Sequence, residues 1–99
     1  MSIDNNFPNL WQLLAGYFYD SSFEKLNDKE IIALFRSHFD DPRELDKRYS
    51  SVIQEIDQSI LDIESHWQGI SLDANRVFKN AEDAKAWLIQ IQKWLVEFR

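Results

Sequence analysis

The stretch from Asp41 to Trp67 constrains the fold more than any other. Leu45, Tyr49, Val52, Ile53, Ile56, Ile60, Ile63 and Trp67 recur mostly at steps of three and four, which places them on one stripe of a helix. A start signal precedes them. Asp41 can cap the first turn, Pro42 stands where a missing N–H costs nothing, and Glu44 follows the cap by three. Gln68 and Gly69 supply a stop. The pattern predicts one long helix over 41–67 with acids on both edges of its apolar stripe: Asp46, Asp57 and Glu64 on one, Glu44, Glu55 and Asp62 on the other. From Tyr49 to Asn75 the chain has five acids and no Lys or Arg. One face of this helix is core, and the rest reads as uncompensated negative surface.

Three further helices flank it. Pro8 and Asn9 open a first helix ending near Tyr19, apolar nearly all round and therefore expected to be buried on several sides. Gly16 in its middle costs up to ~1 kcal/mol relative to Ala, which close approach of another helix would explain. Chance would explain it equally well. Ser21 to Leu26 reads as a connection. Asn27 and Glu30 form a capping box for a second helix running to about His38, which Asp40-Asp41-Pro42 breaks. Ile70 to Lys79 is ambiguous: Ser71 and Asp73 could cap a short helical turn, while Val77 and Phe78 could equally be extended. Asn80 caps a last helix carrying Ala84, Trp87, Leu88, Ile91, Trp94, Leu95 and Phe98 on one stripe. Four helical patterns with short connections predict an all-α fold, an antiparallel bundle of about four helices with one long central helix.

Composition agrees with this architecture and narrows the function. Ninety-nine residues make one domain, expected over 7–99 after a flexible start at 1–6. Two Gly and two Pro leave little material for a turn-rich β fold, and the absence of Cys removes disulfides and thiol metal sites. No apolar run approaches the ~20 residues of a membrane span, and Met1 to Asn6 lack the basic start of a secretion signal. The expectation is a soluble, cytoplasmic protein. Its net charge of −6 is concentrated in the middle, where residues 40–75 have nine acids and three bases. No Lys/Arg cluster is available for phosphate, so direct nucleic-acid or anionic-membrane binding is disfavoured and a basic protein partner favoured. Acidic surface also serves solubility alone.

Catalysis has little to work with, and the chain reads as a non-enzyme without cofactor or metal. His66 lies four after Asp62 and could pair with it; a metal site would need further ligands. His38, beside Asp40 and Asp41, suits a helix C-terminus. Trp87 and Trp94, seven apart, read as core packing before a ligand box. Tyr17, Phe18 and Tyr19 cannot all point inward, and Tyr19 is expected at the surface, either as a binding anchor or packed at the rim on Phe23. Leu61 falls about 140° from the centre of the long helix's core stripe, beyond Asp57 and Glu64. A single exposed Leu is ordinary. A Leu between acidic edges is also how an interface sets an apolar contact inside a charged rim.

Phe7-Pro8-Asn9-Leu10, followed by Leu13-Leu14-Ala15-Gly16-Tyr17-Phe18-Tyr19-Asp20, resembles the opening of a family of bacterial immunity proteins, the CdiI proteins of contact-dependent growth inhibition systems. Trp87-Leu88 looks like the Trp-Leu pair near the family's C-terminus. Asp20 is followed by Ser21-Ser22-Phe23, where family members often carry a Trp. The resemblance implies a protein that binds the C-terminal toxin domain delivered by a neighbouring cell and holds it inactive. Many such domains are nucleases, whose surfaces must be basic. The toxin contacts would then fall first on Asp57, Leu61, Glu64 and Asp73, and next on Tyr19 and Asp20. Two other classes stay open at this point: an acidic helical adaptor binding an unrelated basic protein, and a small metal protein or enzyme built on a bundle.

Overall fold

The computed structural model describes residues 3, 5–19 and 26–98, and every regular element among them is helical. Helix α1 spans Pro8–Leu13 and continues as a π-helical turn over Leu14–Phe18; α2 spans Asp28–Ser37, α3 Pro42–Leu61, α4 Ile63–Ala74 and α5 Ala81–Glu97. The all-helical class expected from the sequence is present, with five helices instead of about four. The connection expected at Ser21–Leu26 lies outside the described residues except at Leu26.

The extra helix arises because the long one is divided. Asp62 leaves the helical region at φ −134°, ψ 54°, and the Ser65 N–H returns to its carbonyl at 3.1 Å to open α4. A straight helix from Pro42 to Ala74 would be about 50 Å long, whereas the longest axis of the molecule is 36 Å. The chain must therefore turn. It turns at Asp62, whose side chain makes no cap hydrogen bond to α4. Gly69 does not stop the helix as expected. Instead α4 runs on to Asn75, which takes the left-handed conformation at φ 53°. There the Asn75 N–H bonds Leu72 O and the Arg76 N–H bonds Ser71 O, the pairing of a Schellman motif. The ambiguous 70–79 segment is thus helix to Ala74 and irregular connection after it.

Helix starts follow local chemistry at α2, α3 and α5. Asn27 and Glu30 complete their reciprocal box at 2.8 and 3.0 Å, Asp41 accepts from the Arg43 N–H, and Asn80 accepts from the Asp83 N–H, both at 2.9 Å. Helix α1 has no cap of its own. Its free N–H groups are met by Glu55 of α3, whose Oε1 accepts from the Asn9 and Leu10 amides at 2.9 and 3.0 Å while Oε2 accepts from Asn9 Nδ2 at 2.6 Å. Glu55 is therefore a tertiary cap and no part of the free acidic edge. A carboxylate at a helix N-terminus answers both the orphan donors and the helix dipole.

Helix α1 with its π turn packs against α2, α3 and α4, as an all-round apolar helix should, and α5 packs against α2, α3 and α4. Leu10, Leu13, Leu14 and Phe18 of the first helix are fully buried. They meet a core in which Tyr49 stacks on Phe35 at 5.6 Å and Phe18 stands edge-on to Trp87 at 5.2 Å. The four Trp rings are all half-buried against this core. Within the start at 1–6, Ile3 is buried and donates its N–H to Asp73 Oδ2 at 3.0 Å. A Cβ on Gly16 would meet nothing within 4 Å, so no helix approaches there.

Candidate partner-binding surface

The break at Asp62 turns Leu61 into a corner residue. Leu61 is the last residue of α3 and is 86% exposed. Asp57 stands one helical turn before it, Asp62 next to it and Glu64 three after it, all exposed. Leu61 is thus flanked along the chain by three exposed acids, in a run from Tyr49 to Asn75 without Lys or Arg; across from that run, Lys93 of α5 lines a groove together with Asp57. Asp57 does have an intramolecular contact: its Oδ1 accepts from Gln92 Nε2 of α5 at 2.7 Å.

Along α4, Glu64, Gln68 and Leu72 repeat at four-residue steps and are all exposed, so they share one outward stripe. At the far end of this stripe Leu72 borders a concavity of about 460 Å³ between α4 and α1, lined also by Trp11, Ala15, Tyr19 and Asp73. Leu72 is 58% and Tyr19 49% exposed. The π turn sets the aromatic order here. The Tyr19 N–H reaches Leu14 O, five residues back, at 2.9 Å. Within this widened turn Phe18 enters the core and Tyr17 packs edge-on against Phe35 at 5.1 Å. Tyr17 shares a 2.6 Å hydrogen bond with His38 Nδ1, and burial pushes its phenol pKa up against the lowering influence of Arg48. Tyr19 is left facing outward, as expected.

The structure does not bring all six singled-out residues to one place. Asp57 and Leu61 stand one turn apart at the end of α3 and Glu64 in the first turn of α4, and Tyr19 flanks the α1–α4 concavity. Asp73 corrects the expectation: it is buried at the edge of that concavity and its carboxylate is engaged by the Ile3 N–H, so it is a structural acid and not an outward one. Asp20 lies outside the described residues. Trp11, Ala15 and Leu72 were not singled out from the sequence. Leu72 had a readable signal, since a Leu off the core stripe is the same anomaly that marks Leu61.

The other candidates resolve into packing. His66 stands edge-on to Phe7 at 4.9 Å instead of pairing with Asp62. Trp87 Nε1 donates to Asp28 Oδ2 at 2.8 Å, and Arg76 Nη2 meets the other oxygen of Asp28 at the same distance, so this acid joins α2, α5 and the α4–α5 connection. Among the described residues no group of three His, Cys, Asp or Glu is placed to hold a metal ion, and no helix is long and apolar enough to cross a membrane. Comparison of the chain with protein-family models, with curated proteins and with solved structures finds no match.

Proposed function

We propose that the chain is an immunity protein of a contact-dependent growth inhibition system, which binds its cognate toxin domain in the cytoplasm and inactivates it by occlusion. The Phe7–Asp20 opening supports the family, and one structural observation carries the mechanism: Leu61 stands almost fully exposed at the end of α3, with Asp57, Asp62 and Glu64 exposed on either side of it along the chain. An apolar anchor inside a charged rim is the anatomy of a specific interface. A nuclease domain must be basic to hold phosphate, and carboxylates presented at that surface compete with the nucleic acid. Opposite fields speed the encounter, while the anchor slows dissociation. The stripe through Gln68 to Leu72 and Tyr19 extends the contact along α4. No turnover is involved; inhibition requires one inhibitor per toxin.

The test is titration of the toxin domain encoded beside this chain, followed by growth of cells expressing that domain. The expected result is a stoichiometric complex and protected growth. Leu61→Arg and Glu64→Lys should each weaken binding by at least about tenfold without changing the helical circular dichroism of the free protein. Absence of a complex at micromolar concentration sinks the proposal. Full protection by both variants would remove the corner from it.

A further inference from the structure

A second groove borders Asp57 but is lined by neither Leu61 nor Glu64. It runs between α3 and α5, has a volume of about 480 Å³, and is lined by Ile53, Asp57, Ile89, Gln92, Lys93 and Val96. Gln92 ties the two helices together, donating to Ile53 O at 3.1 Å as well as to Asp57. Ile89 and Val96 leave 36% and 56% of their surface to solvent. Lys93 is exposed and forms no ion pair among the described residues.

The signs of the two charges select the occupant. A groove for a basic partner would present acids, and a groove for an anionic one would present bases. This groove presents one of each, unpaired with one another, beside an apolar strip. Such a surface is complementary to itself. We propose that the α3–α5 groove is a homodimer interface in which Lys93 of each copy pairs with the partner's Asp57 about a twofold axis. An isologous contact makes every such pairing twice, so two ammonium and two carboxylate groups alternate around the axis. Ile89 and Val96 lie one turn either side of Gln92 and Lys93. Antiparallel packing of α5 on its mate brings Ile89 of one copy to the partner's Val96. The inference does not rest on the toxin reading: the two surfaces share Asp57, but Leu61, Asp62 and Glu64 do not line the groove.

Sedimentation of the purified chain from micromolar to millimolar concentration tests this. The mass should rise from 11.8 kDa towards twice that value. Lys93→Asp and Asp57→Lys should each weaken the dimer by about tenfold or more, and the double exchange should restore it to within about threefold of the parent. Val96→Glu, which leaves the Gln92 bonds intact, should weaken it independently. A chain that stays at 11.8 kDa throughout overturns the proposal. A dimer indifferent to both single reversals does so too, as does a double exchange no tighter than the singles or a Val96→Glu dimer as tight as the parent.

Discussion

The Tyr49 hydroxyl is fully buried and has no hydrogen-bond partner among the described residues. A polar group in that position costs more than it returns, because its water is lost and not replaced. Tyr49→Phe should therefore leave stability unchanged or raise it by up to about 1 kcal/mol in urea unfolding. Burial also pushes the Tyr49 pKa from 10.0 up to about 12, against the lowering influence of Arg36. The native state thus holds the phenolic proton more tightly than the unfolded chain. This contribution is constant below pH 10 and falls as pH rises from 10 to 12, and Tyr49→Phe should abolish that part of the alkaline loss. Gly16 makes a second case at this scale. It has negative φ and open space where a Cβ would go. Gly16→Ala should stabilise the fold by roughly 0.5–1 kcal/mol, read from the thermal midpoint.

Among the helices, the parts legible in the sequence are those whose signals are local. Asn27 with Glu30 and Asn80 with its first-turn acids mark the starts of α2 and α5 correctly, since cap and helix lie within four residues. The end of α3 has no such mark. Ile60, Ile63 and Trp67 continue the three-and-four spacing straight through Asp62, because both helices bury the same side of the pattern. The turn at Asp62 has no counterpart in the spacing of the apolar residues. The start of α1 is hidden for a different reason, as its capping carboxylate stands 46 residues away in sequence. Glu55→Ala removes three bonds to the first turn. It should cost about 1–3 kcal/mol and raise amide exchange at Asn9 and Leu10 before it does so in α5. Unchanged protection at those two amides would show that α1 needs no cap.

For the whole molecule, a net charge of −6 is the property that reaches furthest. The proposed toxin encounter should be steered by it, so the association rate should fall steeply as salt rises while the dissociation rate changes little; stopped-flow mixing at several ionic strengths separates the two. The candidate surface was partly legible at this scale. Leu61 and Tyr19 stood out because each violates a packing rule that one helix must obey. Asp73 is different: its carboxylate is met by the amide of Ile3, 70 residues earlier, and no local pattern encodes that meeting. Sequence distance of this kind has a temporal side. A ribosome releases α1 well before residue 55, so the first helix made must wait, its leading amides still bound to water, until the third arrives to fasten it. Synthesis order and completion order are therefore reversed at this end of the chain, and a nascent chain stalled before Glu55 should expose a frayed, apolar N-terminal segment to chaperones.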